Sequence, residues 1–420
     1  MKPLIWRYAS MRLPLAILEL PLYVLLPKLY SELMPISVVG LILLASRSLD
    51  ALSDPWLGRQ WDLNSAQSLR KTRELAWQIM SYASFVCALG FITLLWWPSL
   101  ASQFESHEGW HGVILAIGSV VTYLAYSLSS IVYQSWGTAL ARNDAARSRY
   151  ALTREGLGLA GVILVSMFLQ AQTFFDKLSI SVMLVLFTAI GLGLIRGLPF
   201  PRQHLRQKPE AQTFNALSLW HWQSMRALFI CFMLSAIAAA VPATLVLFFV
   251  DQVLETPQYA PLFLSIYFLS AAAGLPVWTW LSDRYGHSTC WMLAMVIAMV
   301  AFAFCLRLEA GDTWSYGLVC CVTGLALGGD VAMPWAILAR LIRQRETQQA
   351  GANPIAGRCI GYWTLVSKLN LALAAGIALP LWQWLGSGPQ ALAWIYAGLP
   401  CVLKALSLIG LIASRKQEAL

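Results

Sequence analysis

A charged cluster inside an apolar segment constrains this chain more than any other feature. Arg47, Asp50, Asp54 and Gly58 are spaced three or four residues apart, in a segment that begins with the apolar run 38–45. On a helix, that spacing places them on one face. Each charge at the centre of a bilayer costs about 2.5–3.5 kcal/mol, so it must face a protein interior or a water-filled cavity. The cluster predicts a cation or proton site; the alternative is an Arg47–Asp50 ion pair that only joins two helices.

The composition indicates a membrane protein. Hydrophobic residues make up 58% of the 420 positions and charged residues 12%, whereas about 25% are charged in an ordinary soluble domain. A helical span needs about 20 mainly apolar residues, and twelve stretches predict an all-α membrane protein with twelve transmembrane helices. The predicted spans are 13–30, 37–58, 75–97, 112–139, 152–169, 178–195, 225–250, 261–281, 290–306, 314–338, 359–385 and 391–412.

The longest polar stretch, residues 196–221, separates the sixth and seventh spans. It predicts an N-terminal six-helix bundle at 1–196, a central loop at 197–224 and a C-terminal six-helix bundle at 225–420. Most of the 29 Lys and Arg residues lie in the loops on one side, which the positive-inside rule places in the cytoplasm together with both termini. The net charge of +9 is therefore interpreted as an orientation signal and not as a nucleic-acid surface.

The two predicted bundles carry related motifs after their second helices. Residues 58–62 (GRQWD) follow the second span, and residues 282–287 (SDRYGH) follow the eighth. Acids and bases at helix ends can complement the helix dipole and hold neighbouring helices. Internal repeats are typical of transporters whose two halves rock about a central site. We interpret both motifs as loops that form a cytoplasmic gate, with the candidate residues Gly58, Asp62, Asp283, Arg284 and Gly286.

Several motifs resemble one transporter family. The twelve spans, their division into two sixes and the Asp-Arg-x-Gly motif resemble the major facilitator superfamily. Within it, residues 50–58 (DALSDPWLG) resemble the second-helix motif of the glycoside–pentoside–hexuronide:cation symporters, the melibiose-permease group. Residues 328–334 (GGDVAMP) and 363–368 (WTLVSK) resemble the tenth and eleventh helices of that group. The resemblance implies two pseudo-symmetric bundles and symport of a sugar or glycoside by alternating access.

The resemblance also implies roles for individual residues. Asp50 and Asp54 would bind the coupling cation, Ser53 would supply a further oxygen, and Lys368 would neighbour the site from the other half. Lys368 lies about 15 Å along a helix from Arg358, near the midplane of a core about 30 Å thick.

The predicted substrate cavity rests on the same resemblance and on depth. Asp330 reaches a depth similar to that of Lys368, counted back from the basic end of the tenth span. The candidate cavity residues are Glu19, Arg47, Ser129, Asp330 and Trp363.

Departures from the family pattern leave the substrate open. Sugar-binding members hold sugar hydroxyls with aspartates in helices one and four, where this sequence has Ala16 and Ser129. Glu19 can replace the first aspartate, but nothing replaces the second. A carrier of a lysolipid or another amphiphile therefore stays open beside a sugar symporter, as does an uncoupled major-facilitator protein. A polytopic lipid-modifying enzyme is the remote alternative, because no HxxxH pattern or Ser/His/Asp set lies at membrane depth.

Few partners are expected for such a protein. We predict no cofactor beyond a coupling ion, Na⁺ or H⁺, and no metal site beyond a possible Na⁺ at Asp50 and Asp54. The chain is expected to be a monomer in the plasma (inner) membrane. Its expected partners are a small-molecule substrate, the coupling cation and the lipid bilayer, without nucleic acid.

The gate interpretation makes a testable prediction. If the motif at 282–287 latches one state of the transporter, Asp283→Ala should change the ratio of inward-facing to outward-facing protein. Accessibility labelling of cavity cysteines measures that ratio, and an unchanged ratio would remove the latch role.

Overall fold

The computed structural model describes residues 2–65, 69–101, 109–140, 144–168, 173–198, 222–348 and 356–416. Every regular element in these ranges is helical. The chain forms two compact units, Met1–Gln212 and Thr213–Leu420. Most of the predicted central loop at 197–224 lies outside the described residues.

The described part of the first unit contains seven helices. The helices are α1 (Lys2–Ala9), α2 (Arg12–Ser31), α3 (Ile36–Ser65), α4 (Leu69–Ala101), α5 (Gly109–Leu140), α6 (Asp144–Ser166) and α7 (Phe174–Arg196). Helix α2 packs against α6 and α7, while α5 packs against both α3 and α4.

The end of α3 corrects one prediction. The motif at 58–62 was expected in a loop, but α3 continues through it to Ser65. Trp61 explains the difference, because its side chain is buried in a core cluster with Met80 and Trp136. Burial of an indole stabilises the added helical turns more than their polar composition disfavours them.

The second unit follows the same all-helical plan. The elements are α8 (Gln223–Gln252), a 3₁₀ turn (Pro257–Tyr259), α9 (Ala260–Tyr285), α10 (His287–Cys305), α11 (Thr313–Gln348), α12 (Ala356–Trp384), α13 (Pro389–Ala393), a π-helical turn (Trp394–Gly398) and α14 (Leu399–Lys416). The last span thus contains one π-helical turn between two α-helical segments. Helix α11 packs against both α9 and α10, and α8 packs against both α12 and α14.

Eleven segments of the described chain are long and apolar enough to cross a membrane. They correspond to eleven of the twelve predicted spans. The fifth span differs, because only Gly156–Ser166 of α6 is apolar and the first half of that helix carries Arg147, Arg149 and Arg154. The predicted all-α membrane architecture is confirmed.

Small residues allow α9 and α11 to approach closely. A Cβ atom added at Gly328 would lie 3.0 Å from the carbonyl oxygen of Ala271, and one at Gly274 would lie 2.9 Å from that of Leu325. Gly324 leaves the least room, because its Cβ would overlap the carbonyl oxygen of Tyr267. Helices in membranes commonly associate through small residues in this way.

We therefore predict that Gly324→Ala destabilises the protein by about 1–3 kcal/mol, the usual cost of overpacking. Gly317→Ala is the matched control on the same helix, since a Cβ there meets only the ring of Phe263 at 3.9 Å. Thermal unfolding of both variants in the same detergent tests the prediction. Equal melting temperatures for the two variants would contradict it.

Candidate functional site

Arg47 lies in the interior of the first unit, where several neutral groups contact it. Its side chain is only 3% exposed. The guanidinium donates hydrogen bonds to the hydroxyl of Tyr123 and the carbonyl of Leu22, both at 3.0 Å. It also lies 4.3 Å from the ring centroid of Tyr23, a favourable cation–π geometry. These contacts connect α3 to α2 and α5, so Arg47 positions the helix that carries both candidate aspartates.

Asp50 lies one turn beyond Arg47 and is also buried. Its carboxylate accepts a hydrogen bond from the hydroxyl of Ser127 on α5 at 2.5 Å. Ser53 donates to the backbone carbonyl of Asp50 at 2.7 Å, which leaves the oxygen lone pairs of Ser53 able to accept or to ligate. Two hydroxyl groups therefore contact Asp50: Ser53, which was predicted, at its backbone carbonyl, and Ser127, which the sequence did not indicate, at its carboxylate.

Asp54 lies one turn further along α3 and is half-buried. The next residue, Pro55, is inside the helix and has no N–H group to donate to the carbonyl of Ala51. That carbonyl adds a backbone oxygen between the two aspartates. Among the described residues, no group of three His, Cys, Asp or Glu side chains could hold a metal ion.

A second polar group joins α2 and α5 in the same unit. Arg12 and Glu19 form an ion pair at 2.9 Å. The hydroxyl of Tyr126 donates to the same Glu19 oxygen at 3.1 Å and accepts from Arg12 at 3.1 Å. The Glu19 side chain stays 30% exposed, so the described residues do not fully enclose it. The sequence indicated Glu19 but not its partners, although the seven-residue spacing of Arg12 and Glu19 is two helical turns and could have suggested the pair.

Three other candidate residues occupy different surroundings. Ser129 is fully buried, and its hydroxyl oxygen lies 3.0 Å from that of Ser84. Trp363 is buried as well, and its ring stacks on Phe232 with a centroid distance of 3.8 Å. Lys368 is half-buried on α12 of the second unit. Their roles at a substrate or cation site stay predictions.

Asp330 lies in a buried polar cluster within the second unit. Its carboxylate forms an ion pair with Lys404 and accepts hydrogen bonds from the Ser235 hydroxyl at 3.2 Å and the Trp291 Nε1 at 3.1 Å. The Lys404 side chain is 1% exposed and that of Asp330 is 8% exposed. The cluster joins α8, α10, α11 and α14. The pairing with Lys404 was not predicted, because the partners are far apart in the sequence.

The candidate gate residues are placed only in part. Asp283 and Arg284 are exposed at the end of α9. Gly286 joins α9 to α10 with φ of +81°, a conformation that residues with a Cβ rarely adopt. Gly58 is half-buried within α3, and the side chain of Asp62 lies outside the described residues. The gate role itself stays a prediction.

Comparisons with known proteins identify the fold. A family model described as MFS/sugar transport protein matches residues 8–414. The nucleoside transporter NupG is similar in structure, with a TM-score of 0.68 and 14% identity over 98% of this chain and 99% of that one. A bacterial homologue of the iron transporter ferroportin, inward-facing, has a TM-score of 0.67 and 12% identity over 98% of each chain. No curated protein sequence matches the chain.

A bacterial homologue of the human lysosomal transporter Spinster is also similar. It has a TM-score of 0.63 and 10% identity over 98% of this chain and 94% of that one. At these identities the likenesses concern the fold alone.

The buried ion pair of the second unit generates a prediction about stability. Asp330→Asn leaves the Lys404 ammonium buried beside an amide, and losing one partner of a buried pair costs about 3–5 kcal/mol. The double variant Asp330→Asn/Lys404→Met, which removes both charges, should recover most of that loss. Thermal unfolding tests both variants, with Glu309→Gln as the exposed control in the same unit. A double variant no more stable than Asp330→Asn would contradict the prediction.

Proposed function

Because the chain belongs to the MFS/sugar transport protein family, we propose that it is a cation-coupled secondary transporter of a small organic solute, with a sugar or glycoside as the first expectation. The family makes it a multi-pass membrane transporter rather than an enzyme. The coupling ion, the substrate class and the cytoplasmic position of both termini in an inner membrane are parts of the proposal.

One observation supports the proposal of coupling: Asp50 is buried in a membrane-spanning segment and accepts a hydrogen bond from the Ser127 hydroxyl, and a second acid, Asp54, lies one helical turn away. Asp50 and Asp54 supply carboxylates, Ser53 and Ser127 supply hydroxyls, and Ala51 supplies a backbone carbonyl. Oxygen ligands of this kind suit a hard cation such as Na⁺. A carboxylate can also carry a proton, so H⁺ is the alternative coupling ion.

A coupling mechanism follows from this arrangement. An empty pair of carboxylates is costly to enclose in a low-dielectric interior, whereas a pair that holds Na⁺ or H⁺ is less so. Binding the ion therefore favours the states in which the site is closed, and a ligand shifts an equilibrium only through such differential binding. In the proposal, Lys368 supplies a compensating positive charge from the other half when the ion has left.

The polar group around Glu19 supports a hydroxyl-bearing substrate. A carboxylate accepts hydrogen bonds from sugar hydroxyls, the Arg12 guanidinium donates them, and Tyr126 presents an aromatic ring. The structurally similar NupG is a nucleoside transporter, and nucleosides also carry sugar hydroxyls. A lysolipid carrier remains the alternative, because no acid replaces the second sugar-binding aspartate, where this sequence has Ser129.

The substrate is tested by binding a panel to the purified protein. The panel contains monosaccharides, disaccharides, glycosides, nucleosides and lysolipids, and binding is measured by the shift in melting temperature and by calorimetry. A hydroxyl-rich ligand that binds the wild type and loses affinity in Glu19→Gln supports the proposal. Binding of lysolipids alone would favour the amphiphile carrier.

The coupling proposal makes a prediction for the ligand found in this way. In proteoliposomes with an imposed Na⁺ or H⁺ gradient, Asp54→Asn should abolish uphill accumulation of substrate and keep some downhill exchange, because the ion site loses a charge that couples the gradient to closure. Asp176→Asn, at the start of α7, is the control and should accumulate substrate normally. Full gradient-driven accumulation by Asp54→Asn would reduce the proposal to an uncoupled carrier.

A further inference from the structure

A cavity with basic walls lies at one end of the second unit. Its volume is about 540 Å³, and it lies between the first residue of α10 and the last turns of α11. The two alanines of α11 give it an apolar wall, while two arginines and a histidine give it positive and polar groups. The lining residues are His287, Ala336, Ala339, Arg340, Arg343 and Gln344.

The surroundings of the cavity are strongly basic. Helices α9, α11 and α14 end near the point where α10 begins, and Arg415 of α14 donates a hydrogen bond to Thr289 of α10 at 3.0 Å. Arg284 and Arg345 are balanced by the acids Asp283 and Glu346, so the excess positive charge comes from Arg340, Arg343 and Arg415. An anion is therefore favoured at this end of the unit over a cation or a neutral solute.

His287 supplies a second and independent indication of a ligand. Its Nδ1 atom is buried and makes no hydrogen bond with the described residues, and a buried polar atom without a partner is costly. His287 is also the first residue of α10, whose N-cap, Gly286, supplies no side-chain hydrogen bond. An anion satisfies Nδ1 when that atom carries the proton, and the backbone N–H groups of a helix N-terminus also favour an anion.

The position relative to the membrane identifies the source of that anion. Trp280 and Tyr285, in the last turns of α9, are 63% and 57% exposed. Exposed Trp and Tyr side chains at the ends of spans are typical of the headgroup level of a bilayer. A cavity at that level, with an apolar wall beside basic groups, has the two chemistries that a phospholipid presents together.

We propose that this cavity binds the phosphate-bearing headgroup of an anionic membrane lipid, with Arg340 and Arg343 contacting the phosphate and His287 the headgroup oxygens. Basic cavities between transmembrane helices are suited to such headgroups. The site goes beyond the proposed transport function and does not depend on it, because it uses no residue of the candidate coupling or substrate sites.

Native mass spectrometry of the delipidated full-length protein tests the site, with phosphatidylglycerol and phosphatidylcholine as the added lipids. The wild type should bind phosphatidylglycerol more tightly. A basic residue near a headgroup contributes about 1 kcal/mol, so Arg343→Gln should weaken phosphatidylglycerol binding about fivefold. Arg226→Gln is the matched control, because it removes the same charge from an exposed position near the start of α8 outside the cavity.

A steric variant separates the cavity from general charge attraction. Ala336→Phe fills the space without changing any charge, and it should weaken binding of phosphatidylglycerol while the protein remains monodisperse on size exclusion. Wild-type binding by both Arg343→Gln and Ala336→Phe would overturn the proposal. So would an equal loss in Arg226→Gln, since binding would then reflect net charge alone.

Inorganic phosphate, added without lipid, distinguishes the two sources of the anion. If millimolar phosphate stabilises the wild type but not Arg343→Gln, and phosphatidylglycerol has no advantage over phosphatidylcholine, the cavity is a site for free phosphate and the lipid proposal fails. A preference for phosphatidylglycerol that phosphate does not reproduce supports the lipid site.

Discussion

The cost of keeping an ionised side chain away from water governs the interior of both units. A bilayer offers no solvent to share that cost, so each buried charge must find its partners within the protein. In the second unit the Asp330 carboxylate pairs with an ammonium and accepts hydrogen bonds from a hydroxyl and an indole N–H. In the first unit the Arg47 guanidinium donates hydrogen bonds to a hydroxyl and a carbonyl and contacts an aromatic ring. These two sets of contacts join seven helices, four in the second unit and three in the first.

The buried acids of the two units differ in the groups that contact them. The groups around Asp330 are all donors and include a full positive charge, so the ionised carboxylate is well satisfied and has little reason to exchange its partners. Asp50 instead has hydroxyl groups of Ser53 and Ser127 beside it, whose oxygen atoms can accept or ligate, as the proposed ion site requires. A fully paired four-helix cluster in one unit and the proposed ion site in the other are compatible with a carrier, whose bundles must stay intact while one site changes its occupant.

The part of this arrangement that could be predicted is the part that local spacing encodes. Asp50, Ser53 and Asp54 share one helix, so a 3.6-residue period is enough to bring them together, and apolar run length is enough to indicate most spans. The pairs Asp330–Lys404 and Glu19–Tyr126 join different helices, and no local period brings such partners together. Trp61 extended α3 through a tertiary contact for the same reason. The cavity roles of Ser129, Trp363 and Lys368 rest on the resemblance and stay predictions.

The π-helical turn at Trp394–Gly398 sets the rotational phase of the final helix. A turn of this kind holds one residue more than an α-helical turn, and one residue corresponds to about 100° of rotation on an α-helix. Lys404 lies beyond that turn, so the inserted residue decides which side of α14 carries the ammonium. Deletion of one residue there would leave the span apolar and long enough to cross the membrane, but it would turn Lys404 away from Asp330. The π-helical turn of the last span therefore determines whether Lys404 can pair with Asp330.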